Sequence, residues 1–228
     1  MMPNSLQESL AGGRTQRGPL PPLKVLPIGH GVGRELLVRY HYLHSYPGGT
    51  KLAFGVFSAA RLLGAITFGA GPVNAHRLVE GAGPADCLVL SRLWLSDELP
   101  RNSESRVIGL SLRALGAHTA VKFLVSYADP AVGHVGTIYQ ASNWLYTGLS
   151  EAMPLYNVGD GKARHSRSLS HAYGTHSASH FRRHGVAVRL VPQSQKHRYV
   201  YFLYPTWRPR LRVPVLPYPK REASNAVG

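Results

Sequence analysis

The sequence predicts a mixed α/β domain in which a central sheet carries helices on both faces. Its 228 residues, 44% of them hydrophobic, suffice for one buried core and fit one domain better than two. Segments with the period of a strand alternate along the chain with segments that have the period of a helix. The order is strand, helix, a hairpin of two strands, strand, helix, strand, helix and further strands, which is typical of helices packed on a mixed sheet.

The first half of the predicted domain is organised around the hairpin. Residues 51–57 and 62–69 are apolar strands, and a Ser-Ala-Ala-Arg turn joins them. A strand over residues 23–28 and a helix over residues 33–46 precede the hairpin. A Pro-Gly-Gly sequence ends that helix, because proline cannot continue a helix and glycine favours turns.

The second half contains a long helix between two strands. Asn102 is placed to cap this helix, and an apolar stripe predicts its buried face. The stripe consists of Val107, Ile108, Leu112 and Leu115. The remaining elements are strands over residues 87–95, 122–128, 186–191 and 199–203, and a helix that starts near Gly136.

The two ends differ in composition from the middle. Residues 1–22 are rich in Gly, Ser, Gln and Arg with little periodic hydrophobicity, so we expect a flexible basic arm. Residues 206–228 place prolines among Arg and Lys, which predicts an extended basic tail. The folded domain is therefore expected to span residues 23–205.

The charge of the chain points to a polyanionic partner. There are 26 Lys and Arg against 11 Asp and Glu, which gives a net charge of +15. Nucleic acid is the first candidate, because basic side chains that neutralise phosphates release counterions. An anionic membrane is the weaker alternative: we find no apolar run of membrane-spanning length and no signal peptide. The single cysteine, Cys87, fits a reducing compartment, and we expect a cytoplasmic protein without a membrane partner.

The stretch from Ser126 to Gly148 concentrates polar side chains that core packing does not require. Ser126 and Asp129 stand at the end of a predicted central strand, where α/β sheets bind their ligands. Because Asp129 precedes Pro130, a simple turn or helix cap is an equally good interpretation. Tyr139 and Asn143 are four residues apart, so on a helix they share one face and line a pocket. The alternative for such a tyrosine is half-buried packing.

Four segments of the chain resemble the Mom family of phage DNA adenine modification proteins, within the GNAT acyltransferase fold. They are residues 40–44, 91–95, 100–106 and 126–148. The resemblance implies a mostly antiparallel sheet with a splayed pair of strands. It also implies an activity that converts the exocyclic N6 amine of adenine in double-stranded DNA to a carbamoylmethyl adduct, which protects phage DNA from host restriction. The partners would be double-stranded DNA and a small-molecule group donor.

The resemblance further implies acetyl-CoA or another acyl-CoA as the cofactor, bound by the loop before the long helix. Backbone amides at a helix start bind anions, and arginine adds a charge-assisted contact. The residues of this loop are Arg101, Asn102, Ser103, Glu104, Ser105 and Arg106. The alternative is a solvated helix start in which Glu104 interacts with the helix dipole.

Two histidines in the first segment are candidates for a metal site. His41 and His44 are three residues apart on the predicted helix, beside Tyr40, and could share iron with Asp129. The family's product is attached through a methylene carbon, and a redox metal is one way to activate such a carbon. In a chain with 12 histidines, a pair of this kind is also compatible with no metal at all.

Arg92 and Trp94 alternate on a predicted strand and therefore face the same side. Enzymes that modify a duplex base must extrude it, and the indole could stack on that base. The alternative is that Arg92 forms an ion pair within the fold. The catalytic candidates are thus Tyr40, Arg92, Ser126, Asp129, Tyr139 and Asn143.

Basic residues near the C-terminal end predict contacts with the DNA backbone. The group consists of His165, Arg167, Arg182, Arg183, Lys196 and Arg198, and Trp94 joins it as a base-stacking residue. Two other functions stay open: an ordinary acyltransferase acting on a protein or a small amine, and a DNA-binding protein without enzyme activity.

Overall fold

The computed structural model describes residues 21–220 except 73, 153–154, 162, 165, 176 and 192–194. Nearly all of the predicted N-terminal arm and the end of the predicted tail lie outside the described residues. No helix in the described ranges is both long enough and apolar enough to cross a membrane.

Within the described residues, ten strands form two sheets. The strands are β1 (Lys24–Pro27), β2 (Thr50–Ser58), β3 (Arg61–Gly69), β4 (Cys87–Leu95), β5 (Phe123–Ala128), β6 (Leu145–Leu149), β7 (Leu155–Asn157), β8 (Ala163–Arg164), β9 (Arg189–Val191) and β10 (His197–Phe202). The main sheet has the order β1-β2-β3-β4-β5-β10-β6, and β8-β7-β9 form the small one. In the main sheet only the β4–β5 pair is parallel. The predicted mixed, mostly antiparallel sheet is therefore confirmed.

Helices cover both faces of the main sheet. The described helices are α1 (His30–Tyr40), α2 (Ser103–His118), α3 (Thr137–Gln140), α4 (Ser166–Tyr173) and α5 (Ala178–Arg183). The predicted apolar stripe of α2 is buried, and it packs in the same hydrophobic cluster as Leu93 and Leu95 of β4. Tyr40 at the end of α1 stacks on Trp94, which alternates with those leucines. Because alternate residues of a strand face opposite sides, α1 and α2 end on opposite faces.

The first helix is shorter than the sequence predicts. It begins at His30 and ends at Tyr40, so His41 and His44 lie beyond it. The backbone turns sharply, because the Leu43 amide donates to Nδ1 of His41 and the His44 amide to the His41 carbonyl. Local side-chain bonds of this kind compete with the helix. The prediction that both histidines project from one helical face is wrong.

The helix predicted from Gly136 is a single turn. After α3 ends at Gln140, Asn143 adopts a left-handed backbone with φ of 61°, and the chain becomes β6. Strand β6 pairs with β10 at the edge of the main sheet. Sheet pairing has overridden helix propensity here, so Tyr139 and Asn143 do not share a helical face.

The segment after β10 packs against the domain. Residues 205–210 form a 3₁₀ turn, and residues 212–220 have no regular secondary structure. The Leu216 amide donates to the Tyr146 carbonyl, and the Tyr218 hydroxyl donates to the Trp144 carbonyl over 2.9 Å. This segment therefore ties β6 and the turn before it to the rest of the chain.

Candidate active site

The parallel strands β4 and β5 separate in the middle of the main sheet. Their last paired residues are Leu90 and Ser126, yet β4 continues to Leu95 against β3. The register of β3 and β4 shifts between Thr67 and Phe68, which marks a bulge at Ser91 of β4. Bulges bend a strand and redirect its side chains. An opening results at the carboxyl ends of parallel strands, the usual place for a ligand in α/β sheets.

Arg92 lies at this opening, just beyond the last paired residues. Its Nη1 donates to the Ser91 carbonyl over 2.7 Å, whereas its Nε is buried with no hydrogen-bond partner in the described part of the chain. Thr67, its partner on β3, likewise has a buried and unpartnered Oγ1 among the described residues. Burial lowers the pKa of Arg92. Buried donors without partners are rare and indicate a place for a ligand or water.

Tyr139 packs on the α2 side of the opening. Its ring lies 5.2 Å from that of Tyr199 and 5.4 Å from that of Trp144, centroid to centroid. Burial raises the pKa of Tyr139 to about 12, although a hydrogen bond with Ser126 opposes the shift. The Ser126 hydroxyl donates to the Leu90 carbonyl over 3.1 Å, at the last paired position of the two strands. Tyr139 is therefore a phenol that keeps its proton at neutral pH, and its hydroxyl is hydrogen-bonded to Ser126 at the opening.

His41, Tyr42 and His134 form an aromatic group on the α1 side. The Tyr42 ring stacks on His41 with centroids 4.4 Å apart and meets His134 edge-on at 5.5 Å. Burial lowers the pKa of His41 to about 4, and the charges of Arg92, His44 and His134 add to this effect. His41 is therefore neutral at pH 7. The pKa of the Tyr42 phenol is raised by burial and by Asp129 and lowered by Arg92.

The residues predicted to hold iron do not fit a metal centre. Nδ1 of His41 accepts a hydrogen bond from the Leu43 amide, so the proton of the neutral ring is on Nε2. Neither nitrogen then offers a free lone pair to a metal. Nδ1–H of His44 donates to the Val38 carbonyl over 3.1 Å, so His44 alone of the two rings keeps a lone pair, on Nε2. Across the described ranges, no three His, Cys, Asp or Glu side chains are grouped in a way that would bind a metal ion.

Asp129 serves both as a cap and as an ion-pair partner. Its Oδ1 accepts from the Ala131 amide over 3.0 Å, which caps the short 3₁₀ turn that follows β5. Its Oδ2 lies 3.4 Å from Nζ of Lys196. The two roles are compatible because they use different oxygens. The carboxylate thus stands at the end of β5, close enough to Tyr42 to influence its pKa.

Tyr40 and Trp94 form an aromatic platform next to Arg92. Their ring centroids are 4.6 Å apart and their planes differ by 14°. Arg39 lies over the Tyr40 ring at 5.1 Å. Tyr40 is 46% exposed, so part of the platform faces solvent.

The loop before α2 has a different internal arrangement from a simple anion-binding loop. Asn102 has a left-handed φ of 68° and makes no side-chain cap. The hydroxyls of Ser103 and Ser105 donate to the carbonyls of Pro100 and Asn102. Arg106 donates to the Pro21 carbonyl over 2.8 Å, so its guanidinium is directed to the N-terminal segment. Arg101 is exposed and Glu104 lies in the first turn of α2.

A groove of about 440 Å³ runs between α2 and the turn after α3. Its lining includes Ser105, Gly109, Arg113, Asn143 and Tyr201. Asn143 therefore reaches a ligand-sized space, although not on the helix that the sequence predicts. Arg113 brings a positive charge to this space.

The other predicted DNA contacts are dispersed. Arg198 is directed to Thr147, donating to its hydroxyl and its carbonyl over 2.9 Å each. Arg182 and Arg183 are exposed on α5. Position 165 and the side chain of Arg167 lie outside what the structure describes.

Sequence reasoning did not select Thr67, Tyr42, His134 or Arg113. Tyr42 stands inside the Tyr-His-Tyr-Leu-His segment, and its position there was the available signal. Thr67 and Arg113 give no sequence signal, because each is one polar residue in an otherwise ordinary strand or helix.

Comparisons with known proteins place this geometry in context. The family model described as the Mom protein family matches residues 22–220. The methylcarbamoylase mom of Escherichia phage Mu is 30% identical over 204 residues, which cover 87% of this chain and 84% of that protein.

Solved structures with related chain paths include acetyltransferases. Arabidopsis thaliana NAA60 in complex with a bisubstrate analogue is 12% identical, with a TM-score of 0.46, and the match covers 79% of this chain and 98% of that one. FeeM, an N-acyl amino acid synthase from uncultured soil microbes, is also 12% identical, with a TM-score of 0.43, and the match covers 84% of this chain and 96% of that one.

Proposed function

Because the chain belongs to the Mom protein family, we propose that it is a DNA-modifying transferase that attaches a carbamoylmethyl group to N6 of adenine in double-stranded DNA. The modification would protect phage DNA from restriction endonucleases in the cytoplasm of the host. The net charge of +15 independently supports a polyanionic substrate.

One observation carries the assignment of the site. The buried Nε of Arg92 has no partner among the described residues, and Arg92 lies close enough to two phenols to lower their pKa: Tyr42, which is 53% exposed, and Tyr139, which is 8% exposed. Tyr42 is reached from the α1 side of the sheet, whereas Tyr139 packs with α2. Such an arrangement suits a reaction that joins two substrates through the opening, with each substrate arriving on its own side.

On the α1 side we place the extruded adenine. The platform of Tyr40 and Trp94 offers an aromatic face, and base stacking on such faces contributes about 1–3 kcal/mol per base. The unpartnered Nε of Arg92 and the hydroxyl of Thr67 supply polar contacts within the opening. These contacts would orient the base edge and its N6 amine.

On the α2 side we place the group donor, an acyl-CoA. The groove between α2 and the turn after α3 has room for an extended ligand, and Arg113 suits a phosphate. The N-terminus of α2 adds the partial positive charge of a 16-residue helix. The first-turn hydroxyls are engaged with backbone carbonyls, so phosphate contacts there would come from the backbone amides.

The protein's own groups handle protons. N6 of adenine loses a proton when it forms a bond to carbon, and Asp129 is the carboxylate on the exposed side of the opening. Tyr139, whose pKa is raised to about 12, is protonated and would donate a hydrogen bond or a proton to the departing part of the donor. The product bond runs to a methylene carbon, whereas attack of N6 on a thioester carbonyl would give an amide. The donor must therefore carry its leaving group on that methylene carbon, and this group departs with the electron pair of the broken bond as the bond to N6 forms.

The test is nucleoside analysis of plasmid DNA from a bacterial host that expresses the protein. Liquid chromatography with mass spectrometry should reveal a deoxyadenosine species heavier by one carbamoylmethyl group, absent with Asp129→Ala. Unmodified DNA from cells with abundant folded protein would overturn the proposal in favour of an acyltransferase for another amine or a DNA-binding protein. Protection of the plasmid from restriction enzymes tests the biological role separately.

A further inference from the structure

The turn after α1 carries an apolar side chain at its tip, at the rim of the proposed base site. Leu43 is 46% exposed, and its neighbour Tyr42 is 53% exposed. The turn directly follows the platform residue Tyr40. Its residue Tyr42 lies close enough to Arg92 for the charge of Arg92 to lower the pKa of the Tyr42 phenol. An exposed leucine alone has no special meaning. Leu43 is distinguished by its position on a constrained turn and by the basic side chains around that turn.

The turn is held in one conformation by bonds within the segment. The Leu43 amide donates to Nδ1 of His41 over 3.1 Å, and the His44 amide donates to the His41 carbonyl over 2.7 Å. The His44 ring returns to the Val38 carbonyl at 3.1 Å, and His44 itself has a left-handed φ of 42°. A side chain on so constrained a turn loses little further freedom when it is inserted into a partner.

The surroundings of the turn are basic. Residues 30–46 contain two arginines, Arg34 and Arg39, against one acidic residue, Glu35. Arg39 packs over Tyr40 next to the turn, and His134 packs on Tyr42. Cations around an exposed apolar tip match a duplex, whose phosphates flank an apolar stack of bases.

We propose that Leu43 is a wedge that enters the base stack of duplex DNA in the place left by the target adenine. The inference rests on the proposed function and deepens it by assigning the step that opens the duplex. Contacts of Leu43 with the neighbouring bases would replace part of the stacking energy that is lost when the adenine leaves. Tyr42 would then lie between the vacated position in the duplex and the opening in the sheet. Proteins that kink or open DNA insert leucine, phenylalanine or methionine in this way.

The experiment uses duplexes in which 2-aminopurine replaces one adenine, with each of the sixteen combinations of flanking bases. 2-Aminopurine becomes fluorescent when it leaves the stack, so the assay needs no group donor. Purified protein is titrated into each duplex, and binding is followed separately by anisotropy. Leu43→Ala is compared with Leu43→Met and with Val32→Ala, a matched change at a position on α1 that is 42% exposed and lies eight residues before Tyr40.

We expect the wild type to raise the fluorescence of at least one duplex. Leu43→Ala should bind that duplex but lose about 90% of the rise, while Leu43→Met and Val32→Ala keep it. The rise should return for Leu43→Ala when 2-aminopurine faces an abasic site, because that base is already poorly stacked. An undiminished rise with Leu43→Ala, or no rise with the wild type on any duplex, would overturn the wedge. Failure of the proposed function would appear in a different experiment, the nucleoside analysis, as plasmid DNA without modified deoxyadenosine.

Discussion

Nζ of Lys196 lies 3.4 Å from Oδ2 of Asp129, so the ends of β10 and β5 are joined by an ion pair at the opening of the sheet. The two side chains are 32% and 25% exposed, which leaves the pair partly shielded from solvent. Lys196 was expected to bind DNA and Asp129 to act in catalysis. Because of this pairing, we expect Lys196 to position the carboxylate.

Removing this partner should affect activity more than stability. Lys196→Gln is expected to lower the modification of plasmid DNA by about tenfold, because Asp129 loses one of the contacts that hold its orientation. The free energy of unfolding should change by less than about 1 kcal/mol, as is usual for partly exposed pairs. Lys196→Arg keeps the charge and should keep most of the activity. Equal activity of Lys196→Gln and the wild type would remove the positioning role.

The burial of His41 predicts a dependence of stability on pH. Its pKa falls from 6.5 to about 4 on folding, so the unfolded chain binds more protons between these values. Stability is therefore complete above about pH 6.5 and declines as the pH falls towards 4, by up to about 3 kcal/mol. His41→Asn keeps an acceptor for the Leu43 amide but does not titrate. Urea unfolding at pH 7 and pH 4.5 should show a smaller difference for this variant, and an identical difference would contradict the assignment.

Removal of the buried Thr67 hydroxyl should make the fold more stable and the protein less active. Because Oγ1 has no partner among the described residues, Thr67→Val is expected to stabilise the fold by about 1 kcal/mol. Thr147 is the matched control, since its hydroxyl accepts from Arg198 over 2.9 Å and Thr147→Val should destabilise. Thermal unfolding measures both effects. Modification by Thr67→Val should fall if the hydroxyl contacts a substrate in the opening; full activity would exclude that contact.

Substitutions at two glycines near Tyr139 should distinguish the cost of a left-handed backbone from the cost of a steric clash. Gly136 has φ of 78°, and a Cβ there would lie 2.4 Å from the Tyr199 ring. Gly133 has φ of 72°, but a Cβ would meet nothing within 4 Å. Gly133→Ala should cost about 1 kcal/mol from the left-handed backbone alone. Gly136→Ala should cost at least about 2 kcal/mol more, since the buried ring must move. Similar losses in urea unfolding would contradict the packing around Tyr199.

Sequence reasoning succeeded where one local pattern decides the structure. The buried stripe of α2 and the strands β2, β3, β4 and β5 follow from periodicity, and the structure has them at nearly the predicted positions. Predictions failed at residues 41–44 and 141–146, where local hydrogen bonds and pairing with β10 override helix propensity. Neither interaction is visible in the period of the sequence.

The candidate site was only partly predictable for a related reason. Tyr40 and Trp94 were selected individually, but their stacking depends on how α1 crosses β4. Asp129 and Lys196 are 67 positions apart in the sequence, and only the pairing of β5 with β10 brings them together. Contacts between distant segments require the topology to be known first.

If the opening between β4 and β5 is the active site for DNA modification, Tyr139→Phe should lose most of the activity. Tyr127→Phe is the matched control, because burial also raises the pKa of Tyr127 to about 12, yet its ring packs with the cluster on the other face of the sheet. The measurement is the yield of modified deoxyadenosine in plasmid DNA at equal levels of folded protein. We predict a loss of about a hundredfold or more for Tyr139→Phe and little change for Tyr127→Phe. Undiminished modification by Tyr139→Phe would show that the opening is not the active site.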